Sequence, residues 1–142
     1  MTIDVRAGEW TGPLPAPDEI SAEYWSTLAE GRFLLQRCAE CAHYQFYPRA
    51  LCVGCAGEPV WDEASGRGTV HTFTVIRQNG APMFRDSTPY VVAMIELEEG
   101  PRLMGNVTGC PVDQVRIGLP VQAYVLKAAP DIGILQWEPA AH

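Results

Sequence analysis

Cys38-Ala39-Glu40-Cys41 and Cys52-Val53-Gly54-Cys55 decide how the rest of the chain is read: two C-x2-C knuckles, ten residues apart, using four of the five cysteines. Each knuckle presents two sulfurs on one side of a tight turn, and a short hairpin between the turns brings the two pairs face to face. Four thiolates close a tetrahedron with no open position, so the metal folds the ribbon and does not take part in chemistry. The expected ligands are Cys38, Cys41, Cys52 and Cys55, and the expected metal is structural Zn2+.

Three rival readings fit less well. A redox C-x-x-C comes singly, near a helix start in a βαβ pattern, and no such pattern surrounds either knuckle. Structural disulfides want an oxidising compartment, whereas the N-terminus lacks a charged-then-apolar signal segment. Iron suits the same four-thiolate tetrahedron. Rubredoxin-like knuckles, however, place Gly soon after the second Cys, and here Ala42 and Ala56 stand there, with Gly57 one residue further on.

A chain of 142 residues is one ordinary domain, or a small domain plus a metal-stapled module. Its hydrophobic fraction of 47% is enough for a core, and no apolar run approaches a membrane span, so a soluble, cytoplasmic protein is expected. The formal charge is −7, with Lys127 the single lysine. Four zinc-bound thiolates would take the charge to about −9. Binding nucleic acid rests on neutralising phosphates, so this acidic balance argues against it.

Residues 1–17 end in Gly12-Pro13-Leu14-Pro15-Ala16-Pro17, which cannot be helix or central strand. They read as an extended arm carrying Trp10, either loose or laid on this domain or on a partner. From Asp18 the pattern turns helical, with Ile20, Tyr24 and Leu28 at i, i+4, i+8 and Trp25 beside them. Asp18 or Ser21 can cap its start, and Gly31 sits where it should stop. Phe33–Arg37 is a strand-like run into Cys38. After Cys55 the character becomes all-β, with candidate strands at Gly68–Arg77, Tyr90–Glu98, Arg102–Thr108, Val121–Ala128 and Gly133–Glu138. Gly66 and Gly68 suggest a bulge or bend at the entry to the first of these. Five strands in about 75 residues point to a small Greek-key barrel of the OB-fold kind. The Gln78–Pro89 connection exceeds what a hairpin needs and is the expected functional loop.

The residues offer no complete catalytic set. Of the histidines, His43 is expected on the surface, His71 lies in a strand pattern and His142 is the last residue. Cys110 follows a strand in Thr108-Gly109-Cys110-Pro111, with nothing local to make it a thiolate. No catalytic residue is assigned.

The order of parts, helix, strand, four-cysteine ribbon and small barrel, resembles the bacterial and archaeal zinc-ribbon/OB-fold family first described as a domain of unknown function and now associated with acyl-CoA enzymes. The likeness runs through Leu14-Pro15-x-Pro17, Tyr24-Trp25, Gly31–Cys38, Cys41, Tyr47-Pro48-Arg49, Cys52-x-x-Cys55, Trp61, Ser65-Gly66-x-Gly68-x-Val70, Pro89–Ala93 and Ile117-Gly118-x-x-Val121. Ala42 and Tyr47 depart from it, where Gly and a second Pro are usual. The resemblance implies a mainly β chain in three parts: a proline-rich arm and amphipathic helix (1–32), a rubredoxin-like ribbon (33–61) and an OB-fold barrel (62–142). It also implies a non-catalytic accessory subunit of an acyl-CoA-processing complex, docked on a thiolase-fold thiolase or steroid side-chain aldolase, or on a hotdog-fold hydratase.

In that setting the barrel mouth helps to hold acyl-CoA, with Trp25, Arg77, Phe84, Arg85 and Tyr90 as candidate ligand or partner contacts. The partner is expected to carry the CoA phosphates, because this chain is acidic. The alternatives are a stand-alone acyl-CoA-binding protein or a nucleic-acid-binding ribbon/OB module. Neither nucleic acid nor membrane is an expected partner.

Overall fold

The structure, a computed structural model, describes residues 2–8 and 10–141; His142 lies outside the described residues. An N-terminal arm carries strand β1 (Val5–Arg6) and leads to helix α1 (Ala22–Ala29). Strands β2 (Leu34–Cys38), β3 (Tyr44–Gln45) and β4 (Pro59–Glu63) form the ribbon sheet, in the order β3-β2-β4. Strands β5 (Arg67–Ile76), β6 (Tyr90–Leu97), β7 (Arg102–Val107), β8 (Pro120–Ala129) and β9 (Ile132–Pro139) follow. They run β8-β5-β6-β7-β9, and β9 pairs back with β8, so the sheet closes into a five-stranded barrel without free edges.

Local chemistry fixes the helix at both ends. The Asp18 carboxylate accepts the backbone N–H groups of Ile20 and Ser21 at 3.0 and 2.8 Å, and the Ser21 hydroxyl accepts that of Asp18 at 3.2 Å. At the other end Gly31 takes φ +84°, which lets its N–H reach the Leu28 carbonyl and that of Arg32 reach Thr27. This pair of bonds is a Schellman stop, available there because glycine pays no Cβ penalty at positive φ. The helix begins after Ile20, which is consequently exposed, while Tyr24 and Leu28 are buried.

Alternation along the strands separates inside from outside. In β6, Val91, Ala93, Ile95 and Leu97 are buried while their neighbours are half-buried. The bulge expected near Gly66 and Gly68 falls slightly later: the β5–β6 register shifts between Val70 and Thr72, which leaves His71 unpaired and exposed. Extra backbone there bends β5 around the barrel. The barrel interior is filled by Trp137, at 0% exposure, packed against Gly105, where a Cβ would lie 2.8 Å from the indole. One buried cluster joins Tyr24 and Leu28 of the helix, Phe33 and Leu35 of the ribbon segment, and Val70, Ile95, Val125 and Trp137 of the barrel.

The arm is laid on the barrel. Val5 and Arg6 pair in parallel with Val125 and Leu126 of β8, and the Val125 N–H donates to the Asp4 carbonyl at 2.8 Å. Arg6 makes a two-pronged bond to Glu138 at 2.7 and 2.9 Å, and its guanidinium stacks over the Tyr124 ring at 4.0 Å. Among the described residues no helix is long and apolar enough to cross a membrane.

Candidate functional site: a four-cysteine centre and an uncharged groove

The four knuckle sulfurs, Cys38, Cys41, Cys52 and Cys55, lie within 4.8 Å of one another. Cys38 Sγ is 3.5 Å from Cys55 Sγ, and Cys41 Sγ is 3.7 Å from Cys52 Sγ. Zinc–sulfur bonds of about 2.3 Å give tetrahedral edges of about 3.8 Å, so the donor set and its spacing fit a four-thiolate zinc site. Backbone amides stabilise the thiolates: the N–H groups of Glu40 and Cys41 point at Cys38 Sγ, and that of Gly54 at Cys52 Sγ, each at 3.4 Å. The Cys41 amide is the main cause that pulls the Cys38 thiol down to about 7.

Two buried glutamines brace the second knuckle. The Gln36 side chain donates to the Arg49 carbonyl at 2.9 Å and accepts the Arg49 N–H at 2.8 Å. It also accepts the Gln45 amide at 2.7 Å, and Gln45 in turn accepts the Val53 N–H at 3.0 Å. The side chains of this pair are bonded to the backbone at Arg49 and Val53, so the loop carrying Cys52 is held by buried polar bonds. Sequence patterning does not single out Gln36 or Gln45, since strand alternation marks them only as polar.

A second feature lies on the outer wall of the barrel, because the interior is filled by Trp137. Two adjoining hollows, of about 460 and 350 Å³, share Trp10, Phe84, Tyr90, Asn106 and Gln136. Three parts of the chain supply these shared residues. The strand faces opposite the core supply Tyr90, Asn106 and Gln136; the Gln78–Pro89 connection supplies Phe84; the arm supplies Trp10. Phe84 and Tyr90 face each other with ring centres 6.1 Å apart, and the Asn79 amide holds the Tyr90 hydroxyl at 2.8 Å. The larger hollow runs on to Cys110 and the smaller to Tyr24, Trp25 and Phe46. Among the described residues, none that lines either hollow is Asp, Glu, Lys, Arg or His.

Of the residues anticipated as contacts, Trp25, Phe84 and Tyr90 come together around the smaller hollow. Arg77 and Arg85 are exposed and line neither hollow. Arg85 instead donates to the Gly80 carbonyl at 3.3 Å within its own loop. Tyr24, the ring at the centre of the aromatic group, meets Trp25 edge-on at 4.9 Å and Phe46 at 5.5 Å. The Trp25 indole N–H donates to the Tyr47 hydroxyl at 3.3 Å. These rings seat the helix on the ribbon. His43 is exposed. Burial, with a smaller contribution from Asp113, pushes the Cys110 thiol up, the opposite of what a nucleophile needs.

Comparison with known proteins follows the same division. The ChsH2 rubredoxin-like zinc ribbon domain matches residues 25–61, and the ChsH2 C-terminal OB-fold domain matches residues 61–126. The chain is 33% identical to a DUF35 domain-containing scaffold protein of Methanocaldococcus jannaschii, over 84% of this chain and 88% of that one. It is 36% identical to a probable enoyl-CoA hydratase alpha subunit of Thermomonospora curvata, over 90% of this chain, and spans 40% of that subunit's length. A solved structure, the Ltp2-ChsH2(DUF35) aldolase, contains a chain that is 34% identical. It superposes with a TM-score of 0.80 over 89% of this chain and 99% of that one.

Proposed function

The chain belongs to the DUF35 family of zinc-ribbon/OB-fold proteins, and from that premise we propose that it is a non-catalytic accessory subunit of an acyl-CoA-processing complex. In this reading it docks on a thiolase-fold thiolase or aldolase, or on a hotdog-fold hydratase, and helps to hold the acyl-CoA. The single observation that carries the reading is the likeness, over nearly the whole of both chains, to a component of an assembled aldolase.

Within the subunit, zinc is held by Cys38, Cys41, Cys52 and Cys55 and supplies only a fixed shape, since four thiolates leave no site for substrate. The arm and helix (1–32), ribbon (33–61) and barrel (62–142) act as the three working parts. The ribbon presents Tyr47, Leu51 and Val53 at its surface, with Val53 62% exposed, an apolar surface suited to a partner. Trp25, Phe84 and Tyr90 are proposed contacts of the acyl group. Arg77 and Arg85 stand apart from them, so the partner is assigned the CoA phosphates.

A pull-down of the tagged chain from its native host, with mass spectrometry of the retained proteins, tests this. Near-stoichiometric recovery of a thiolase-fold or hotdog-fold enzyme is expected and would name the reaction to assay. A clean monodisperse protein without partner would defeat the subunit reading. The alternative, a stand-alone acyl-CoA binder, gains support from the groove and makes its own demand: sub-micromolar CoA binding by the isolated chain.

A further inference from the structure

Gln136 is 4% exposed, yet among the described residues its side-chain amide has no hydrogen-bond partner. The same holds for the hydroxyl of Tyr24, which is 3% exposed. Neither polar group is sealed from solvent, since the buried side-chain polar atoms without a partner among the described residues are Glu99 Oε1 and Trp137 Nε1; the amide and the hydroxyl are open at the groove and available to whatever enters it. Gln136 lines both hollows and Tyr24 lines the smaller. Strand geometry explains why Gln136 stands there. It follows Leu135, which packs on the core, and precedes the fully buried Trp137, so it alternates to the outer wall opposite Tyr124.

The surroundings set the chemistry of the missing partner. The walls are aromatic, with Trp10 from the arm and Phe84 and Tyr90 from the barrel side. Asn106 spends its amide N–H on the Val91 carbonyl at 2.9 Å and leaves its oxygen at the groove. Among the described residues no charged side chain lines either hollow, although 19% of the chain is charged, and the Arg6 guanidinium stacked over Tyr124 is already bonded to Glu138. A phosphate or carboxylate placed there would lose its hydration without a cation to replace it. Each hollow lies in the size range of small-molecule sites, about 300–1,000 Å³.

We infer that this outer-wall groove binds a flat, uncharged, largely apolar group carrying a carbonyl or hydroxyl, that Gln136 reads that polar atom, and that Trp10 closes one wall. For the biological ligand this rests on the accessory-subunit reading, where the group is the acyl end of the thioester and not its nucleotide end. The arm thereby becomes part of a binding site and more than a tether, since its Trp10 lines both hollows.

The test uses prodan, a naphthalene with one ketone and no charge, titrated into the full-length zinc-loaded protein and followed by its emission. Saturable one-to-one binding is expected, with the emission wavelength of a hydrogen-bonded ketone. Gln136→Leu should weaken binding about tenfold and shift the bound emission to the blue, and Trp10→Ala should weaken binding by a similar factor. Gln136→Met, a longer apolar side chain, guards against a packing fault in the Leu variant, and far-ultraviolet circular dichroism checks that each variant folds. Absence of saturable binding to the wild type would overturn the inference, as would unchanged affinity and emission in both Gln136 variants. Loss of partner capture in these variants, with no prodan binding by the wild type, would instead make the groove a protein-docking surface and also overturn it. Prodan binding needs no partner enzyme, so its failure is distinguishable from a failed pull-down.

Discussion

Ala42 and Ala56 occupy the same place in the two knuckles and take φ of +62° and +63°. Their amides close each turn by donating to the carbonyls of Cys38 and Cys52, both at 2.9 Å. Left-handed backbone costs an L-residue with a Cβ about 1 kcal/mol, a cost glycine escapes. Ala42→Gly and Ala56→Gly should therefore each stabilise the zinc-loaded protein by about 0.5–1 kcal/mol in chemical denaturation. Gly57 is the converse case. A Cβ there would lie 2.7 Å from Cys38 Sγ and 3.2 Å from Cys55 Sγ. Sulfurs fixed on a metal cannot withdraw, so Gly57→Ala should cost about 1–3 kcal/mol, read as at least tenfold weaker zinc retention in a chelator competition. Unchanged retention would mean the knuckle yields more readily than its geometry indicates.

At the scale of elements, the arm is held by a short strand pairing, by Arg6 stacked on Tyr124 and by one two-pronged ion pair, of which only the ion pair titrates. Arg6 bonds Glu138 with both guanidinium prongs, and this bond is the main reason the Glu138 carboxyl is held below the usual carboxylate range. The direction fixes the pH dependence. A carboxyl with a depressed folded value contributes fully above its unfolded value, about 4.3, and the contribution is lost as pH falls through the lower folded value. Since β1 pairs only Val5 and Arg6 with β8, the arm should lift off in that acid window while the barrel stays closed. The amide of Val125, which donates to Asp4, reports this directly: its exchange protection, corrected for intrinsic rate, should fall below pH 4. Glu138→Gln should remove that acid step. An acid step that persists in the variant would assign it to another group.

Across the whole molecule, the ribbon and the barrel share one buried cluster, with Phe33 and Leu35 packed among barrel residues. The knuckles are only half covered: Cys38 and Cys52 are buried, Cys41 and Cys55 are exposed, and the loop of the second knuckle hangs on Gln36 and Gln45. Zinc removal should accordingly act unevenly. Hydrogen exchange after chelation should bring residues 38–58 to the rates of an unfolded chain, while β5, β6 and Trp137 stay protected by the closed barrel. Loss of protection in β5 and β6 at the same rate would show that the barrel depends on the stapled ribbon. It would also make the metal a determinant of the entire fold.

The sequence by itself determined the metal centre, because ligand spacing is a local property: C-x2-C fixes two sulfurs on a single turn. It determined the barrel strands to within a residue or two for the same reason, since alternation and turn residues are read along the chain. The helix stop at Gly31 was legible too, through the one residue that tolerates positive φ there. Short β1, β3 and β4 were not among the strands read, because two- to five-residue strands beginning at Pro59 or lying in a proline-rich arm have no period to reveal. Only the tertiary structure decided the groove. Trp25, Phe84 and Tyr90 could be picked out as candidate contacts, whereas Trp10 and Tyr24 read only as an arm residue and a helix residue, and Asn106 and Gln136 had no signal at all. Their meeting depends on barrel closure, on which side of each strand faces outward, and on an arm returned to β8 by a parallel pairing about 120 residues distant in the chain. Register and long-range pairing are set by the packed core around Trp137, and no local pattern encodes them.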